Sequence, residues 1–305
     1  MLTGSFIFLR IAAFTTCYFQ YSIKACPYKC QVAIYLSNGP ILKAMLQDDY
    51  KYARQIALRV FNADDLKKIR NSVVSVIGVG GVGSLIADLF VRSGIKKLII
   101  VDRDYVTSSN LYRQVLYDEN DIGDSKAEAA KRRLSKVNSD VEIEARNETF
   151  DAGNAERIVS SSDLIMDGTD NLTSRLILND AAVKNMKPWI MASAIETYGQ
   201  VKAIIPEKTS CYRCYFSGEP FAQPTCAEVG VLSSLVTMVA SIAWTLGIKV
   251  LTGKEVDGSL FNIDAWTQEI DRIAIDRMDD CECCVLKHFE YLSDRYKNIG
   301  LEFLP

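Results

Sequence analysis

The chain has 305 residues, 49% of them apolar and 24% charged, with a net charge of −3. That is the balance of an ordinary globular protein with core enough for one large α/β domain or two smaller ones, and the charge gives no electrostatic basis for binding nucleic acid. The one histidine, His288, lies near the C-terminus, which argues against histidine-based hydride transfer and against a Ser-His hydrolase.

Residues 1–44 differ in texture from the rest. An apolar, aromatic run over 5–19 is interrupted by Arg10 and is shorter than the roughly 18–20 residues that span a bilayer. It also lacks the basic stretch that opens a signal peptide. Cys26 and Cys30 are spaced C-x-x-x-C, with no second pair nearby. The fold is expected to begin near Met45, with residues 1–44 a dispensable extension or an upstream start. The alternative is an amphipathic, membrane-touching arm. From Met45 a polar, helix-compatible segment carries Tyr52, Arg54 and Gln55. Local sequence alone reads Arg54 as a solvated surface residue. A second helix is expected over 62–70.

A β-branched run over 73–77 reads as a buried strand. It leads into Gly78, Gly80 and Gly83, spaced G-x-G-x-x-G, with Gly81 between them, and an apolar helix is expected over 81–93. Strand, glycine turn and helix together are the context this fingerprint requires. The glycines would serve a tight turn, close approach of backbone to phosphate, and helix–strand packing. The helix N-terminus would offer its free N–H groups to an anion. A strand over 97–101 ends at Asp102, about 19 residues after Gly83, near the spacing of a ribose-binding acid. The pattern predicts an adenine nucleotide but does not separate NAD, FAD and ATP.

Next comes a polar loop holding Arg103, Asp104, Asn110, Leu111, Tyr112, Arg113 and Gln114, at the strand end where open α/β sheets place their ligands. A helix over 125–137 begins near Lys126, followed by strands over 141–145 and 163–167. The last of these opens into Gly168-Thr169-Asp170-Asn171. A helix over 172–185 and a strand over 189–192 complete a doubly wound, mostly parallel sheet. Strands over 200–205, 259–264 and 267–274 suggest a C-terminal antiparallel extension. Cys211 and Cys214, then Cys281 and Cys284, form two C-x-x-C knuckles. Four thiolates in such pairs suit structural, tetrahedral zinc better than disulfides in a reducing compartment. Cys283 is surplus and could compete as a ligand. Cys226 stands alone before a long apolar helix over 231–252. A thiol there could be nucleophilic or simply a small buried hydrophobe. The helix carries Ser233, Ser234, Thr237, Ser241, Thr245, Gly247 and Lys249, so it reads as a core or dimer-interface helix rather than a membrane span.

Taken in order, Tyr52-x-Arg54-Gln55, the glycine loop, Asp102-x-Asp104, Asn110 to Gln114, Lys126, Thr169-Asp170-Asn171, the knuckles and Cys226 resemble the ubiquitin-activating-enzyme-like superfamily in its MoeB/ThiF/HesA adenylyltransferase form. The resemblance runs from Tyr52 to Cys284, within an adenylation domain over 45–305; residues 1–44 have no counterpart in it. It implies ATP-dependent adenylation of the C-terminal glycine carboxylate of a small ubiquitin-fold or sulfur-carrier protein ending in Gly-Gly, with pyrophosphate released. It implies phosphate contacts from the glycine loop, Arg113 and Lys126, ribose contact from Asp102, magnesium at Asp170, and nucleotide contacts from Asp104, Asn110 and Asn171. It further implies a cytoplasmic homodimer with Arg54 reaching the neighbouring subunit's phosphates, zinc on the knuckles, and Cys226 on a crossover loop. No nucleic acid or membrane partner is expected. The rivals are an NAD-dependent Rossmann oxidoreductase, a non-catalytic partner-binding subunit, and a relative that activates a small molecule or an RNA base.

Overall fold

The computed structural model describes residues 50–216 and 229–297, so the expectations placed on residues 1–49 and on Cys226 lie outside the described residues. The chain divides into two compact units, Met1–Arg54 and Gln55–Pro305. In the first, Tyr50–Tyr52 forms one turn of 3-10 helix. The second unit holds one eight-stranded sheet whose strands run, edge to edge, Glu142–Arg146, Lys97–Val101, Val73–Ile77, Leu164–Asp167, Trp189–Ile195, Tyr198–Ile204, Leu260–Asp264 and Glu269–Ile273.

The second unit's first long helix, α1 (Ala63–Asn71), starts where Asn62 and Asp65 exchange side-chain and backbone hydrogen bonds in a capping box. Strand β1 (Val73–Ile77), helix α2 (Gly81–Ser93) and strand β2 (Lys97–Val101) follow with the boundaries the pattern predicts. Helix α3 (Lys126–Val137) begins one residue later than expected, and so does β3 (Glu142–Arg146). A short helix α4 (Ala155–Ser160) was not expected, because six residues are too few to declare a helical period. Then come β4 (Leu164–Asp167), α5 (Leu172–Lys184) and β5 (Trp189–Ile195), the last three residues longer than its apolar run. Strands β1 to β5 pair in parallel.

β6 (Tyr198–Ile204), β7 (Leu260–Asp264) and β8 (Glu269–Ile273) add antiparallel strands at one edge, as expected. Helix α6 (Ser233–Thr252) begins two residues after the expected start, because Val231 instead makes a parallel bridge to Glu196. By length and composition alone α6 could cross a membrane. Here Leu235, Val236, Val239, Ala240 and Ala243 are buried in the protein's own core. On the outward side the hydroxyls of Thr237, Ser241 and Thr245 each donate to the carbonyl four residues earlier.

Both sheet faces are covered, as parallel strands require. Alternate strand residues serve different cores. Val74, Val76, Leu98, Ile100, Leu164 and Met166 pack with α1, α2, α3 and α6. Ile77, Ile99, Val101, Ile165, Trp189 and Met191 pack with α4, α5 and both cysteine knuckles. Strand order reverses between β2-β1 and β1-β4, which opens a crevice at the carboxyl ends of these strands.

Candidate active site

β1 delivers the chain to that crevice, and the turn there tolerates only glycine at two positions. Gly78 has φ +81°, and a Cβ on it would lie 2.7 Å from the Gly168 carbonyl oxygen. A Cβ on Gly83 would lie 1.9 Å from the Gly78 carbonyl oxygen, so any side chain would lift α2 off β1. Gly80 caps α2 without a side-chain bond. The first helical N–H groups are therefore available to an anion, beside a cleft of about 630 Å³ lined by Gly78, Gly80 and Gly81.

Asp102 follows β2 and turns its carboxylate to the same loop. It accepts the Val79 and Asp104 N–H groups, each at 2.8 Å, and keeps lone pairs for a ligand. Burial pushes Asp102 above its ordinary range, against the opposing pull of Lys126. Lys126 opens α3. It is buried, and its ammonium donates to the Asp104 carboxylate at 2.9 Å. The Arg113 guanidinium donates to the Ser109 carbonyl at 3.0 Å and lies 4.9 Å from the centre of the Tyr112 ring. Asn110 Oδ1 accepts the Thr107 N–H at 3.3 Å. Asp102, Asp104, Asn110, Arg113 and Lys126 all line the cleft.

The opposite wall follows β4. Asp170 is exposed on it, and among the described residues its carboxylate makes no hydrogen bond or ion pair. A free carboxylate beside phosphate-sized space is a donor that suits magnesium. Asn171 lines the cleft too, but its Oδ1 caps α5 by accepting the Ser174 N–H at 2.8 Å. That leaves its NH2 group for a ligand. Arg54 belongs to the first unit and is exposed there.

Sequence reasoning missed one feature of this wall. Asp167 ends β4 fully buried and receives the Arg175 Nε at 2.8 Å, the Thr169 hydroxyl at 2.6 Å and the Thr169 N–H at 2.8 Å. Arg175 also donates to the carbonyls of Thr169 and Ala192, at 2.7 and 3.3 Å. Burial works against its charge, but Asp167 more than offsets this and the guanidinium is pushed up. The pair thus sets the backbone that presents Asp170. A charged residue closing an otherwise apolar strand, with an arginine in the next helix, was the available signal. On the glycine-loop side, Gln114 of the predicted polar loop is 2% exposed, lines the cleft, and has an Oε1 with no partner among the described residues.

Away from the cleft, the fold brings Cys211, Cys214, Cys281 and Cys284 together. All four are buried, with their Sγ atoms within 4.8 Å of one another. Neighbouring sulfurs are 3.5, 3.6 and 3.8 Å apart, too far for a disulfide bond of about 2.05 Å. A tetrahedron with zinc–sulfur bonds of about 2.3 Å has edges of about 3.8 Å. The donor set therefore fits zinc. Without a cation, burial pushes the Cys284 thiol up to about 11. Cys283 stays outside the four-sulfur group, where its sulfur receives the Asn179 Nδ2 at 3.2 Å from α5.

The profile of the ThiF family matches residues 52–285. This chain belongs to the ThiF family. The sulfur carrier protein ThiS adenylyltransferase of Bacillus subtilis is 36% identical over 81% of this chain and 74% of its own. The sulfur carrier protein adenylyltransferase of Thermus thermophilus is 34% identical over 77% of this chain and 90% of its own. The molybdopterin-synthase adenylyltransferase of Escherichia coli is 30% identical over 78% and 97%. Among solved structures, E. coli MccB with MccA-N7isoASN shares the fold at a TM-score of 0.70 and 21% identity, over 78% of this chain and 75% of that one. As a ThiF family member the chain is an adenylyltransferase of the ThiF/MoeB type, which favours nucleotidyl transfer over the NAD-dependent rival.

Proposed function

We propose that the enzyme uses ATP to adenylate the C-terminal glycine carboxylate of a small ubiquitin-fold sulfur carrier, for sulfur transfer or conjugation. One observation carries the reading. A single cleft at the sheet's switch point gathers the glycine-loop amides, Asp102, Arg113, Lys126 and the free Asp170 carboxylate. Relatives that are 30–36% identical are named as adenylyltransferases of sulfur carriers or of molybdopterin synthase.

The chemistry explains why such a set is needed. A carboxylate is a poor acyl donor because hydroxide leaves badly. One carboxylate oxygen bonds to the α-phosphorus of ATP, the α–β bridging bond breaks with its electron pair on oxygen, and pyrophosphate departs. The acyl group then carries AMP as its leaving group. The obstacle is electrostatic, since one anion attacks another, so positioning and charge neutralisation dominate. In this reading the loop amides, Arg113 and Lys126 hold phosphate oxygens and Asp102 holds the ribose. Asp104, Asn110 and Asn171 complete the nucleotide's surroundings. Asp170 would hold Mg2+, which neutralises phosphate charge when bound. Zn2+ on Cys211, Cys214, Cys281 and Cys284 would tie the two knuckles together. We further assign Arg54 to the phosphates of a neighbouring subunit in a homodimer, Cys226 to the transfer that follows adenylation, and the cytoplasm as the compartment.

The test is to incubate the enzyme with ATP, magnesium and each small Gly-Gly-ending protein of the organism, and to look for a carrier heavier by one adenylyl group. ATP–pyrophosphate exchange that depends on one of them supports the reading. Its absence with all of them removes it.

A further inference from the structure

One ring of hydrogen bonds closes beside the cleft, and its least conspicuous member is Tyr117. Asp102 accepts the Val79 N–H at 2.8 Å. The Val79 carbonyl accepts the Tyr117 hydroxyl at 2.9 Å, and the same single hydrogen is shared with the Lys126 carbonyl at 3.2 Å in a three-centre bond. Lys126 returns to Asp104 twice, by its N–H to the Asp104 carbonyl at 2.9 Å and by its ammonium to the carboxylate at 2.9 Å. Asp104 closes the ring by donating its N–H to Asp102 at 2.8 Å.

Val79 lies between Gly78 and Gly80, so its flanking residues impose little conformation of their own. Its peptide groups are held from both sides instead, by Asp102 and by Tyr117. Among the described residues no other donor reaches its carbonyl. Lys126 differs, because as the first residue of α3 its carbonyl already belongs to the helix ladder. The phenol is buried, as is Val79, so no bulk water replaces the bond when it is lost. Burial first, then Asp102, Asp121 and Asp104, hold the phenol protonated far above its ordinary range, which keeps it a donor.

We infer that Tyr117 is a positioning residue for nucleotidyl transfer: its hydroxyl fixes the glycine loop relative to the first turn of α3, and so sets the spacing between the loop amides and Lys126. This rests on the adenylation reading for its kinetic consequence, but not for the clamp itself. Tyr117→Phe keeps the ring and removes the donor. The proposed ribose contact of Asp102 remains, so ATP should bind almost as before. The amides that must meet charge at the α-phosphate should lose their placement.

Two measurements on the full chain decide it. In ATP–pyrophosphate exchange with magnesium and a recombinant Gly-Gly-ending carrier, Tyr117→Phe should lower kcat at least about tenfold with KM for ATP changed less than about twofold. Replacing Tyr117 with p-aminophenylalanine, which restores a para donor, should recover most of that loss. In the nucleotide-free protein, amides of the 78–81 loop should exchange their hydrogens at least about tenfold faster in Tyr117→Phe than in the native protein. Native kcat in Tyr117→Phe, or loop amides that exchange no faster, would overturn the inference. If the native protein catalyses no exchange with any carrier, the adenylation reading falls, and amide exchange alone decides the clamp.

Discussion

Replacing Arg175 with Met should damage this protein more than any loss of a surface charge. Met matches the aliphatic stem of Arg, so the substitution removes the guanidinium while keeping the packing of the stem. Asp167 has no exposed surface and Arg175 only 7%, so water does not take over the abandoned carboxylate. Three donations disappear, one to Asp167 and two to the carbonyls of Thr169 and Ala192. Thr169 still donates twice to Asp167, which softens the loss without neutralising the charge. Breaking a buried pair from one side costs about 3–5 kcal/mol. For a unit of this size that corresponds to a fall in Tm of about 6–20 °C. Urea unfolding followed by circular dichroism measures it directly. The Thr169–Asp170 segment should also lose its placement, so ATP–pyrophosphate exchange should fall by more than the folded fraction does. A loss below about 1 kcal/mol would refute the reasoning, because it would mean that the fold does not depend on the Asp167–Arg175 pair.

Arg113→Ala should reduce adenylation at least about tenfold, the worth of one charge-assisted hydrogen bond of about 1.5–3 kcal/mol, while thermal unfolding stays native; unchanged exchange kinetics would exclude a phosphate role. Freshly purified, reduced protein should contain about one zinc per chain. Since such a site supplies on the order of 10 kcal/mol, chelation should expose the region around Cys211 and Cys281 to proteolysis. Elemental analysis finding no metal would remove the site. Cys226→Ala should leave adenylate formation intact and block transfer to an acceptor, and loss of the exchange reaction itself would make Cys226 structural. Asp65, held below the usual carboxylate range by Lys254 and the Asn62 backbone, should favour the folded state above its unfolded pKa. That contribution should vanish as pH falls through its lower folded value, so the native protein should lose more stability on acidification than Asp65→Asn. Parallel pH curves for the two would contradict it.

Much of the candidate site was legible because its determinants are local. β1, the glycine turn, α2 and β2 follow one another directly, and each has a signature within a dozen residues: a β-branched run, glycines where a Cβ would collide, an acid at a strand end. The same holds for the residues from Asn110 to Gln114 and for Lys126 at the start of α3. The boundaries of β5 and β6 were less legible, because antiparallel pairing extends both strands beyond their apolar runs to a turn at Glu196 with φ +50°. Helix α4 left no pattern at all.

The amino-acid sequence thus determined which groups the chain carries: a glycine turn after one strand, an acid after the next, cationic side chains and paired thiols, all written in short-range spacing. The tertiary structure alone decided which of those groups meet. It brought two knuckles 67 positions apart, Cys214 to Cys281, into one four-sulfur cluster, and it gave Asp167 to Arg175. Among the described residues it left the Asp170 carboxylate without a partner, and it turned Asn171 partly to capping α5. It also closed the ring in which Tyr117 holds Val79. The physical reason is that burial and partnership are properties of the packed chain. A carboxylate, a phenol or a thiol has the same intrinsic chemistry wherever it stands in the sequence, and its role is set by what the fold places within hydrogen-bonding distance and how completely it excludes water.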